Sequence, residues 1–275
     1  MFEYDFVVHA FIAAAIVGTV AGTVGFFLIL RGQTFAGHAL SHVGFAGATG
    51  ALLIGIPPLW GLLGFTVAAG IGMGFLGERL SGRDVAIGVV LSLSLGLGLL
   101  FLNFYTSGAS QATALLFGNI LGVDTETLWT LGLLALVPLA ALAVAARPLL
   151  FASLQPELAE AKGVPVRAIG ILFLAIVAVA VAECAQIVGV LLVFALMVGP
   201  PAAAARLTRG PVAGIALAAG LAVAQSWLGI ALAYWTDWPT SFWITALSGG
   251  VYFAALIADR RDAPPPASVH HRHVH

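Results

Sequence analysis

Apolar residues run along this chain in long unbroken stretches. Segments near 7–30, 33–55, 59–77, 85–104, 126–146, 167–183, 186–205, 211–234 and 240–258 approach or exceed about 20 residues. That length of helix crosses a hydrocarbon core roughly 30 Å thick. A helix apolar all round belongs in lipid or in a protein interior. The pattern predicts an all-α, polytopic membrane protein of about eight to nine transmembrane helices. A shorter helical patch is expected at 112–122. Two places decide between eight and nine spans. One is the 33–55 segment, which carries two histidines; the other is the very short connection expected at 184–185.

Composition reinforces the pattern. Hydrophobic residues make up 61% of the 275 residues and charged residues 8%, against roughly 25% charged in a soluble domain. Such a chain cannot cover its own surface against water. Glycine recurs four apart at Gly18/Gly22, Gly70/Gly74, Gly118/Gly122 and Gly210/Gly214, a spacing that lets helix backbones approach closely in lipid. A net charge of −1 leaves no nucleic-acid footprint, and the single Cys184 excludes an internal disulfide and a cysteine metal cluster. The N-terminal Met1-Phe2-Glu3-Tyr4-Asp5 is acidic, whereas a signal peptide opens on basic residues, so the first helix is expected to be retained.

The basic residues set an orientation. They fall at Arg31, at Arg79 and Arg83, from Arg147 through Lys162 to Arg167, at Arg206 and Arg209, and at Arg260 and Arg261. The intervening connections near 56–58, 105–125, 184–185 and 235–239 hold none. Cytoplasmic loops collect Lys and Arg, so nine spans put every basic cluster inside, with the N-terminus outside and the C-terminus cytoplasmic. Residues 1–258 read as one transmembrane domain. Residues 259–275 read as a disordered, histidine-rich tail after Pro264–Pro266.

Candidate chemistry concentrates in two places. His38 and His42 are one helical turn apart and share a face. Imidazole is a ligand for zinc and similar metals, and polar groups inside a membrane usually face a cavity or pathway. The competing reading has both hydrogen-bonding neighbouring helices. The second place is the polar segment Pro156-Glu157-Leu158-Ala159-Glu160-Ala161-Lys162-Gly163. Pro156 suits the first helical position and the glutamates suit the positive end of the dipole. Gly163 and Pro165 stop the helix. Two turns are not stable alone in water, so this helix must dock on something.

Other groups are weaker candidates. Glu183, read at the outer end of a span, could guard an entrance or face water. The tail histidines His270, His271, His273 and His275 resemble a metal-sequestering tract. Asp124 and Glu126 read as solvated, and His9 as a lone, satisfied histidine. Lys162 is the only lysine and is followed by glycine, so the chain has no Gly-Lys-Ser/Thr P-loop. Any pumping must draw on another subunit or on an ion gradient, and no enzyme activity or resident cofactor is expected.

Three stretches resemble the zinc/manganese family of ABC importer permeases. Leu30-Arg31-Gly32-Gln33-Thr34-Phe35-Ala36-Gly37-His38-Ala39-Leu40-Ser41-His42 is similar to that family's Leu-Arg…Phe-x-Gly-Asp-Ala-Leu-Ser-His. The segment from Pro156 to Pro165 resembles its Asp-Pro-Glu-x-Ala-x-x-x-Gly-x-Pro loop, with Gln155 in place of the Asp. The run from Val188 to Leu207 resembles its Val-Gly-x-Leu-Leu-Val-x-Ala-Leu-Leu-x-x-Pro-Ala-Ala-x-Ala-Arg-Leu. Shorter matches lie at Arg83–Gly88 and Phe117–Leu121. The resemblance implies a homodimeric permease in the inner membrane. Its implied partners are a pair of cytoplasmic ABC ATPases, with 156–163 as the coupling helix, and an extracytoplasmic metal-binding protein. His42 matches the family's histidine. His38 stands where the family has Asp, which favours zinc over manganese, since manganese prefers oxygen ligands.

Rival classes leave different marks. An iron-siderophore permease of the same ABC class would not need paired histidines. A gradient-driven secondary metal transporter would bury several carboxylates mid-membrane, where Glu183 is the nearest case. A membrane di-iron enzyme needs about eight clustered histidines, and a rhomboid-type protease needs a Gly-x-Ser-Gly that this chain lacks.

Overall fold

A computed structural model describes residues 4–76, 83–104 and 115–261. The helices are α1 (Asp5–Leu30), α2 (Thr34–Leu53), α3 (Pro58–Leu76), α4 (Arg83–Asn103), α5 (Thr125–Leu154), the short α6 (Pro156–Ala161), α7 (Val166–Val188), α8 (Val190–Leu207), α9 (Pro211–Thr236) and α10 (Thr240–Arg261), with a 3-10 turn at Ile120–Gly122. No strand occurs among the described residues. Helix is what lipid demands of these apolar runs, because every backbone group must find its partner within the segment.

Among the described residues, seven helices are long and apolar enough to cross a membrane by length and composition: α1, α3, α5, α7, α8, α9 and α10. The fold is an all-α polytopic membrane protein. α1 and α7 form its centre, with two thirds of their apolar windows buried. α1 packs on α9, α8, α5 and α7, while α7 also meets α3 and α2. α2 runs between α3, α4, α7 and α8.

Close helix contacts occur where small residues allow them. A Cβ at Gly22 would strike Ala218 and Ala219 of α9, and one at Gly18 would strike Val223. Gly70 and Gly74 bring α3 against Leu174 and Ile171 of α7. The other two glycine pairs are not helix seams. Gly210 faces open space and caps α9, and Gly118 lies in the irregular segment before the 3-10 turn.

Several expected boundaries move. α5 continues to Leu154 rather than ending near 146, running through Pro138 and Pro148. The break between α7 and α8 is at Gly189, not at 184–185. The polar run Glu183-Cys184-Ala185-Gln186 resembles a loop in sequence, yet it lies within α7, with Glu183, Cys184 and Ala185 buried and Gln186 half-buried. Gly189 has φ +82°, a conformation close to glycine-only with its ψ of 157°. A Cβ there would strike Gly118, Leu116 and Phe117, and one at Gly118 (φ +75°) would strike Val188. Asn119 N–H donates to the Ile187 carbonyl at 3.1 Å. The segment before α5 is thus pinned by backbone contact to the α7–α8 break. Of the patch expected at 112–122, residues 112–114 lie outside the described residues. So do Arg79 and all four tail histidines, while α10 reaches Arg261, inside the stretch assigned to the tail.

The two ends of the bundle differ. Arg31, Arg147, Lys162, Arg167, Arg206 and Arg209 share one end. There Arg31 donates to Ser153 Oγ at 3.1 Å and lies 5.4 Å from the Phe173 ring centroid. Arg206 pairs with Asp259 at 2.9 Å. Trp60, Trp129, Trp235, Trp238 and Trp243 gather at the other end, where Trp238 stacks on Trp243 at 5.6 Å. Tryptophans of this kind sit at a membrane–water boundary.

Candidate metal site

α2 carries the two histidines in an otherwise closed environment. From Ala36 to Thr49 every residue of α2 is buried except His38 and His42, which are half-buried. Phe35, on the same side one turn earlier, is exposed. The opposite faces explain why the helix turns this way. Gly37 lies under Leu28 of α1, Gly44 under Leu62 and Thr66 of α3, and Gly47 against the Gly61 carbonyl. Those small residues let α3 and α1 close on α2 and leave the histidine edge as its open side.

The rings of His38 and His42 are 4.8 Å apart, centroid to centroid, and nearly perpendicular at 86°. The Phe194 ring of α8 lies 4.7 Å from His38 on a 59° tilt. The Nδ1 atoms of both histidines are buried and have no hydrogen-bond partner. Imidazoles one turn apart, with Nδ1 atoms that no protein group occupies, are the ligand type a borderline metal ion takes. The expectation that the histidines share a face therefore agrees with the geometry. The competing reading, hydrogen bonds from these nitrogens to neighbouring helices, has no partner at either Nδ1.

Glu183 is elsewhere. It is 0% exposed in α7, five residues before the last residue of that helix, Val188, and both carboxylate oxygens lack partners. It neither lines an entrance nor faces water, a correction to both sequence readings. Leu174 of α7 faces Gly70 of α3, and nine residues further on Glu183 points about half a turn away. Among the described residues no group of three or more His, Cys, Asp or Glu side chains assembles a metal site, so Glu183 does not complete the histidine pair.

His9 and Asp124 have structural partners. His9 Nδ1 lies 3.2 Å from the Val123 carbonyl and ties α1 to the segment before α5. Asp124 is exposed and caps α5, accepting from Thr127 N–H at 2.8 Å. Hydrogen bonds from the Thr127 side chain and then from its backbone N–H hold this carboxyl below the usual range. The short α6 forms as expected, with Pro156 at its start. Gly163 (φ +78°) follows its end, where Gly163 N–H donates to Glu160 and Val164 N–H to Ala159, the double closure of a glycine-terminated helix. Ala159 is fully buried and anchors α6, whereas Leu158 is 45% exposed and faces away from the core.

Sequence reasoning missed Phe194, Gln33 and Gln225. Phe194 occupies a variable position of the Val188–Leu207 motif, so no pattern marks it. The amides of Gln33 and Gln225 are buried, with unpartnered atoms. The signal available was a lone glutamine in an otherwise apolar span, for Gln225, and the break before α2, for Gln33.

These features define a multi-pass α-helical membrane protein with a half-buried histidine pair on the open edge of α2. The chain belongs to the ABC 3 transport family, which matches residues 3–259. It is 28% identical to the manganese transport system membrane protein MntC of Listeria innocua over 258 residues, covering 94% of this chain and 92% of that one. It is 30% identical to the manganese import system permease protein ScaB of Streptococcus gordonii, covering 93% and 90%. The solved structure of PsaBC from Streptococcus pneumoniae in complex with Fab superposes with a TM-score of 0.84 at 27% identity, covering 92% of each chain.

Proposed function

We propose that this chain is the membrane-spanning permease subunit of an ABC importer that carries a divalent transition metal into the cytoplasm, with zinc the preferred cargo. The observation that carries the reading is the pair His38 and His42. They are the half-open positions of a buried stretch of helix, with unpartnered Nδ1 atoms. The pair faces out of the single chain, so a second copy closes the pathway over it. The ion enters between the two copies and exchanges part of its hydration shell for imidazole. Few neutral ligands hold it loosely enough for release, as conduction requires.

The basic end is cytoplasmic, since basic loops mark that side. There α6 offers Leu158, Glu157 and Glu160 to a pair of ABC ATPases, while Ala159 fixes the helix to the bundle. The opposite, tryptophan-rich end receives a metal-binding protein. ATP-driven closure of the ATPases moves α6 and rocks the bundle around the ion site.

A second reading, manganese, is favoured by the names of the similar permeases. Zinc is favoured by the all-imidazole pair, because manganese prefers oxygen ligands. Uptake of radioactive zinc and manganese into proteoliposomes holding the chain, its ATPase and its metal-binding protein tests both. ATP-dependent zinc uptake that outruns manganese supports zinc. Manganese uptake with no zinc uptake keeps the importer and overturns the cargo.

A further inference from the structure

We propose that Phe194 is a positioning and selectivity residue of the histidine site. Its ring limits how many ligands an ion keeps beside His38, and so favours ions content with four over ions that hold six. The inference rests on the reading of His38 and His42 as ion ligands.

The His38 ring packs against two other rings, His42 at 4.8 Å and 86° and Phe194 at 4.7 Å and 59°. Both separations are those of rings in direct contact, which leaves no room for water between them. A phenyl ring has no lone pair to give a metal. An ion held by His38 therefore gains no ligand from the Phe194 side and keeps no water there. Zinc accepts four ligands in tetrahedral array, with imidazole nitrogens at about 2.0–2.1 Å. Manganese favours an oxygen-rich octahedron. Removing space for water thus penalises manganese more than zinc. The ring also narrows the rotation of His38, which holds its nitrogen ready for the ion.

The position of Phe194 is set by the backbone before it. α8 starts at Gly189, whose carbonyl accepts from Leu192 and Val193 N–H at 3.2 Å each. Gly189 is itself seated against Gly118. The second turn of α8, with Phe194, is thereby delivered to His38 from a fixed starting point.

The test uses the purified full chain with His270, His271, His273 and His275 replaced by alanine, so that the tail binds no metal. Cobalt(II) is the probe, because four-coordinate cobalt absorbs visible light far more strongly than six-coordinate cobalt. Zinc and manganese then displace it in competition. The expected result is a strong cobalt band that weakens in Phe194→Ala. The zinc-to-manganese affinity ratio falls on the order of tenfold, the scale on which groups packed behind the ligands change metal affinity. Phe194→Tyr keeps the ring and restores both readouts. An unchanged band and ratio in Phe194→Ala overturn the inference. Should that variant not fold, Phe194→Leu removes the flat ring at similar volume, and an unchanged band and ratio there overturn it equally. The double variant His38→Ala/His42→Ala separates the two layers. If it binds cobalt like the parent chain, the histidine reading fails. If it loses cobalt while Phe194→Ala changes nothing, the role of Phe194 alone fails.

Discussion

α2 and α4 lie side by side and meet different surroundings. α4 is apolar over Ile87–Asn103. Its Val89, Leu93, Leu99 and Leu100 are exposed on the outside of the bundle, where lipid is their solvent. α2 is long enough but carries His38, Ser41, His42 and Thr49, and it is enclosed by α1, α3, α4, α7 and α8. A helix that meets protein on nearly every side need not be apolar enough for lipid. That freedom lets α2 carry polar side chains inside the bundle, and it hides the helix from a hydropathy scan.

Substitutions can sharpen this contrast. The largest expected effect is at Phe45 of α2, which is fully buried. Phe45→Ala should cost about 3–5 kcal/mol by leaving a cavity, while Leu93→Ala on the outer face of α4 should stay within about 0.5 kcal/mol. Denaturation of the detergent-solubilised chain measures both, and equal losses would break the distinction. Next comes Gly47, where a Cβ would strike the Gly61 carbonyl and Phe65. Gly47→Leu should force α2 and α3 apart and cost about 1–3 kcal/mol, whereas Gly96→Leu in α4 meets open space and should leave the thermal midpoint unmoved.

Much of the fold was legible because length and apolar run are what a bilayer selects. All nine expected spans coincide with long helices, and the short helix at 156–163 appears with its proline start and glycine stop. Gly189 was misjudged because a single glycine between two apolar runs is a weaker signal than the polar run Glu183 to Gln186. Glu183, Cys184 and Ala185 are buried by tertiary packing that a linear pattern does not carry. Of the site, the shared face of His38 and His42 follows from helical spacing alone. Phe194 does not, since it comes from another helix 156 residues along the chain from His38.

A smaller effect tests the α7–α8 break. Gly189→Ala places an L-residue in a conformation that costs about 1–3 kcal/mol and meets the backbone of 116–118. It should loosen the segment before α5, read as faster hydrogen exchange around Asn119, while Gly132→Ala in α5, which meets nothing, should leave exchange unchanged.

The most direct measurement is X-ray absorption on the zinc-loaded transporter, prepared with its ATPase and with the four tail histidines replaced by alanine. The account predicts imidazole nitrogens around zinc at about 2.0–2.1 Å, a shell that disappears in His38→Ala/His42→Ala while the chain stays folded. An unchanged zinc shell in that double variant, or bound zinc with no imidazole in the parent chain, would contradict the histidine pair as the ion's site.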